Sequence, residues 1–130
     1  MPTDAIVVTN TQLVQINTMA MTPIVQLAPM QPGRNYLVWA TGTLHIANAL
    51  VNVELEAFDA KHTIQLSARG IYSYSLAVGT TLPADDELFT VAKVSASIRD
   101  VLSPDEPVDV GTVDGQLVLL AVDSVTVQVV

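Results

Sequence analysis

Apolar and polar positions alternate with a period of two along much of this chain, the spacing that puts side chains on the two faces of a pleated strand. Residues 35–47 show it most clearly. Val38, Ala40, Gly42, Leu44 and Ile46 fall on one face, and Trp39, Thr41, Thr43 and His45 on the other. Asn48 and Ala49 break the run, after which Val51, Val53, Leu55 and Ala57 turn inward opposite Asn52, Glu54, Glu56 and Phe58. A turn is predicted over 59–62. Ile64, Leu66 and Ala68 resume the inward register, which predicts a hairpin from about 50 to 69. Gly70 separates a further strand, IYSYSLAV, in which Tyr72 and Tyr74 oppose Ile71 and Ser73.

The rest of the chain reads as shorter pieces of the same kind. Residues 5–33 carry no charge and are interrupted by Pro23, Pro29 and Pro32, which oppose a long helix. Two short strands, near 5–9 and 12–17, lead into an extended arm that ends at Pro32-Gly33. The arm either packs as an edge of its own sheet or docks on a neighbouring subunit. Met19, Met21 and Met30 suit both uses, because methionine adapts to irregular surfaces. Residues 79–87 form a loop, 88–98 a strand, and 99–107 a second, acidic loop in which Pro104 and Pro107 exclude a central strand. Asp114-Gly115 predicts a tight type I′ turn joining 108–113 to 116–122. The chain closes on a strand, SVTVQVV. No long helix is called for. Eight to ten strands at short spacing predict an all-β, antiparallel β-sandwich of jelly-roll type, with 1–33 as an uncharged N-terminal arm and 34–130 as the sandwich domain.

Composition alters this picture in one respect. Half of the 130 residues are hydrophobic and only 14% are charged, against about 25% in an ordinary soluble domain. So large a deficit implies a surface that does not all face water. With two lysines in the chain, the usual blunting of sheet edges by Lys is largely absent, and symmetric self-association is one way to cover such edges. The net charge of −8 is uneven: residues 1–80 sum to −1 and residues 81–130 to −7. Acidity of this kind argues against nucleic acid and against anionic membranes as partners. No cysteine is present, which removes disulfide and thiolate chemistry. MPTDAIVVTN lacks the basic and apolar regions of a signal peptide, so synthesis in a cytoplasm is expected.

Candidate chemistry is sparse. His45 and His62 lack the His-x-Asp/Glu spacing of β-helix metal enzymes, and neither is expected to hold zinc or iron. Asp85, Asp86 and Glu87 in one loop, and Asp105, Glu106 and Asp109 near another, form either a solvated rim or a weak cation site; their spacing matches no calcium loop. Glu54 and Glu56 share a strand face at a separation compatible with glycoside hydrolysis, but nothing suggests a cleft between them. No nucleophile elbow or phosphate loop appears. The expectation is no enzyme, no cofactor and no metal. A carbohydrate-binding or adhesin module is the alternative, with Trp39, Tyr36, Tyr72, Tyr74 and Phe58 as stacking residues. Tyr36 and Trp39 nevertheless have opposite parity on their strand, so they cannot share one flat face.

From YLVWATGTLHIANALVNVELEAFDA through the following hairpin, over residues 34–80, the chain resembles small β-sandwich proteins of tailed-phage virions, such as capsid decoration proteins and tail-associated modules. The strand with Thr-Gly-Thr that leads into Val-x-Val-x-Leu also resembles the trimeric TNF/C1q-like jelly rolls. The resemblance implies a non-enzymatic structural protein located in a virion. It implies a homo-oligomer, a trimer being one form, that contacts a capsid or tail protein. Trp39, Met19, Met21 and Met30 are the expected contact residues.

Overall fold

The computed structural model describes residues 5–11, 13–17, 19–84 and 90–124. Among these the chain forms strands and no helix. The strands are β1 (Ala5–Asn10), β2 (Val14–Gln15), β3 (Thr22–Pro23), β4 (Ala28–Pro29), β5 (Asn35–Ala57), β6 (Ala60–Thr81), β7 (Val91–Val101) and β8 (Asp109–Val122). All pairings are antiparallel.

The architecture rests on one hairpin that is too long to stay straight. At about 3.3 Å per residue, the 23 residues of β5 would extend roughly 75 Å. Instead β5 and β6 bend together where the register shifts between Ile46 and Ala49, with Asn48 at φ 63° and Gly70 at φ 141°. Before the bend the buried residues of β5 are even-numbered, Val38, Ala40, Leu44 and Ile46. After it they are odd-numbered, Ala49, Val51, Val53, Leu55 and Ala57. A one-residue offset of this kind keeps the apolar set facing one core while the strand changes layer.

Each half of the hairpin then recruits different neighbours. The first half of β5 pairs with β8, and β8 pairs with β1 and β2. The second half pairs with β7, and β7 pairs with β3 and β4. The result is two four-strand layers, β1/β2–β8–β5–β6 and β3/β4–β7–β5–β6, stacked over a single aliphatic core. This is the jelly-roll form of the β-sandwich. Ile16, Ile24, Val25, Ala28 and Met30 bring the N-terminal region into that core, and β1–β4 complete both layers.

Three local readings differ from the structure. The hairpin turns at Phe58-Asp59, because Ala57 already pairs with Ala60. Phe58 takes φ 53°, where an aromatic residue is an unusual occupant, and Asp59 Oδ1 anchors the turn by accepting from Thr80 Oγ1 at 2.8 Å. His62 therefore lies in β6, not in a turn. Asp114-Gly115 makes no turn either: β8 runs through it, opposite Thr43 and Gly42, and a bulge at Val113 absorbs the irregularity. The acidic cluster at 85–87 and nearly all of SVTVQVV lie outside the described residues.

Candidate functional site

The two layers present very different faces to their surroundings. Outside the β3/β4–β7 layer, Glu54 and Glu56 stand beside Lys61 and Lys93. Lys61 Nζ lies 3.3 Å from Glu54 and 3.4 Å from Glu56, and Lys93 Nζ lies 3.4 Å from Glu56. Hydrogen bonding to Glu54, then to Glu56, holds the Lys61 ammonium above the ordinary lysine range. The two carboxylates thus belong to an exposed ion-pair network. Such networks contribute little to stability, but they keep a sheet face in water.

The outer face of the other layer is almost without charge. Strand register sets its side chains in rows. Val7, Val118, Trp39 and Ala77 form one row, and Ala5, Leu120, Leu37 and Gly79 form the next. A third row, Thr9, Gln116, Thr41 and Ser75, is polar but neutral, and Asp114, Thr43 and Ser73 follow it. Asp114 is the one carboxylate among the described residues of these rows. Val7 is 54% exposed and Leu37 is 40% exposed. Trp39 is half-buried, with Val118 and Ala77 as its cross-strand neighbours. Here the charge deficit of the sequence becomes a place: a flat apolar band centred on Trp39, bordered by hydroxyls.

A shallow hollow of about 490 Å³ opens at the polar end of this face, lined by Thr9, Thr41, Thr43, Ser73, Asp114 and Gln116 among others. Beneath it, on the core side, the Tyr74 ring crosses the row formed by Gly42 and Gly115. A Cβ at Gly42 would fall 2.4 Å from the Tyr74 hydroxyl, and one at Gly115 would fall 3.3 Å from it. The hydroxyl is buried with no hydrogen-bond partner. Burial first, and the nearby Asp114 carboxylate second, push its pKa up to about 12. A tyrosine whose folded pKa lies above the unfolded value of about 10 leaves stability intact below that value and erodes it as pH rises toward 12. Denaturant midpoints measured against pH should therefore fall between pH 10 and pH 12. Tyr74→Phe should flatten that loss and leave neutral-pH stability equal or slightly higher, since it removes an unpaired polar group. A loss of the same size in Tyr74→Phe would assign the alkaline transition to another group.

The remaining candidate residues are dispersed. Tyr36 and Tyr74 are buried in the core, Tyr72 is half-buried beside it, and Phe58 sits at the hairpin tip. The aromatic residues considered for sugar stacking do not converge with Trp39. His45 is exposed on the uncharged face. His62 projects between the layers, where its Nδ1 accepts the Ala77 backbone N–H at 3.2 Å. Met30 is buried, whereas Met19 and Met21 are exposed. Glu106 pairs with Arg69, and among the described residues no three potential metal ligands cluster. The residues that sequence reading passed over are Val7, Leu37, Val118 and Leu120. They became visible as a patch only once strand order placed β1, β8 and β5 side by side.

Comparison with known proteins agrees with the architecture. No family model and no curated protein matches the chain. Among solved structures, the PRD1 vertex protein P5 is similar over 91% of this chain and 95% of its own, with a TM-score of 0.51 at 12% identity. The Eiger TNF from S. frugiperda is similar over 99% of this chain and 98% of its own, with a TM-score of 0.54 at 11% identity. At these identities the likeness is one of fold. It agrees with the jelly-roll resemblance read from residues 34–80.

Proposed function

We propose that this protein is a non-enzymatic structural component of a phage-like virion that decorates or stabilises a capsid or tail lattice through self-association. The observation that carries the reading is the nearly uncharged outer face around Trp39. A chain of net charge −8 repels its own copies wherever its acids meet. The Trp39 face is where two copies can approach with only Asp114 to separate. Four strands about 4.8 Å apart, over the rows from Leu37 to His45, offer roughly 500 Å² per copy. A face-to-face pair would bury on the order of 1,000 Å², the lower end of the range for a specific interface. The shared fold with a protein named as a vertex protein supports a place in a virion.

Light scattering on the whole protein tests the reading. The expected result is a discrete oligomer. Trp39→Glu is expected to yield a monomer with an unchanged circular dichroism spectrum. Loss of a central aromatic anchor typically costs about 2–4 kcal/mol of association, or roughly 30- to 1,000-fold in Kd. A wild-type chain that stays monomeric at every accessible concentration would overturn the proposal.

A further inference from the structure

β6 closes one side of the sandwich in both layers, because among the described pairings it bonds to β5 alone. Its two ends belong to different layers: the part from Ala60 to Ala68 pairs with the second half of β5, and the part from Gly70 to Thr81 with the first. One strand therefore forms both lips of a single seam. Natural proteins usually blunt such strand edges, and here two side chains reach from one lip to the other. Asp59 Oδ1, in the hairpin turn, accepts from Thr80 Oγ1 at 2.8 Å, and His62 Nδ1 accepts the Ala77 backbone N–H at 3.2 Å. An N–H that meets His62 points away from β5, so without the imidazole it would be an unpaired donor of the sheet edge. Ala77 is also the cross-strand neighbour of Trp39, which puts the bond at the border of the apolar band.

We infer that His62 is a proton-operated clasp on this seam: the neutral imidazole holds the two lips together, and protonation releases Ala77. The reason lies in the acceptor. Nδ1 accepts an N–H only through its lone pair, which places the ring hydrogen on Nε2. A proton that takes the lone pair leaves one donor facing another, and the contact must part. Imidazole is the side chain that ordinarily changes charge between about pH 5 and 8. The groups around it do not duplicate the switch. Leu55 stands opposite His62 on β5, and Ala77 faces it from the other layer. Among the described residues the carboxylate at the seam is Asp59, and carboxylates ordinarily titrate near about pH 4. Lys61 is turned to the outer face, where it and Lys93 pair with Glu54 and Glu56. The inference concerns the seam itself and does not rest on the Trp39 face pairing two copies.

Amide hydrogen exchange on the whole isotope-labelled protein, followed by NMR from about pH 7.5 down to about pH 5.5, tests the clasp across the histidine range. Exchange at Ala77, corrected for the intrinsic chemical rate, should speed up about fivefold as the His62 ring titrates, the equivalent of one net hydrogen bond. Leu117, fully buried in β8, should show no such change. His62→Asn supplies an acceptor that does not titrate, so its corrected Ala77 exchange should be flat with pH. His62→Phe keeps a ring without the acceptor and should exchange fast at every pH. Corrected Ala77 exchange that stays constant while the His62 ring titrates, or wild-type protection in His62→Phe, overturns the clasp. So does a ring hydrogen found on Nδ1 at neutral pH from the imidazole nitrogen shifts, a result that requires no variant to fold.

Discussion

Asn48→Ala is expected to destabilise the fold by about 3 kcal/mol, among the largest effects available from one surface-adjacent residue. Asn48 is only 2% exposed and performs two tasks at the bend of the long hairpin. Its backbone adopts φ 63°, a conformation asparagine tolerates better than alanine. Its amide satisfies two carbonyls and one N–H of the 102–108 loop, each bond contributing about 1 kcal/mol net. Urea denaturation would measure the loss. For a domain of this size the melting temperature should fall by roughly 10 °C. Asn48→Gly keeps the backbone conformation and loses only the side chain, so it should recover part of the deficit. A midpoint for Asn48→Ala indistinguishable from wild type would show that the loop does not depend on this anchor.

Gly42→Ala should be comparably damaging for a reason of packing alone. The added methyl would lie 2.4 Å from the Tyr74 hydroxyl, 2.6 Å from its Cζ and 2.7 Å from the Asp114 carbonyl oxygen. The last is backbone of the adjacent strand and the first two belong to a ring held in the core, so no flexible end is free to yield. Overpacking of this kind costs about 1–3 kcal/mol and sometimes more. Combining it with Tyr74→Phe should restore only part of the loss, because Cζ remains when the hydroxyl goes. A double-mutant cycle in chemical denaturation measures that coupling. Full recovery in the double variant would place the clash at the hydroxyl alone, and an unchanged Gly42→Ala midpoint would contradict the packing described.

These two residues also mark how far the sequence could be read. The alternation around Trp39, the break at Asn48 and the inward set Val51, Val53, Leu55 and Ala57 were legible, because period and parity are local properties. The class of fold followed from them. Asp114-Gly115 misled for the opposite reason: the dipeptide is a strong local turn signal, yet Gly115 is needed where Val25 Cγ2 would stand 2.8 Å from a Cβ, a tertiary fact. Phe58 concealed the true hairpin turn, since no pattern nominates an aromatic residue for a positive φ. The Trp39 face was half legible. Its central residue stood out, but Val7, Val118 and Leu120 reach it from both ends of the chain, and no periodicity announces which strands will be neighbours.

The order in which the layers close has a consequence for synthesis. β5 and β6 pair around a two-residue turn, so their contacts join residues close in sequence and can form early. β1 finds its partner only when Ala5 meets Leu120 and Val7 meets Val118, nearly the whole chain later. The apolar band needs both strands, so an unfinished chain has no such surface to offer. The surface on which the proposed self-association rests is thus a property of the completed molecule alone.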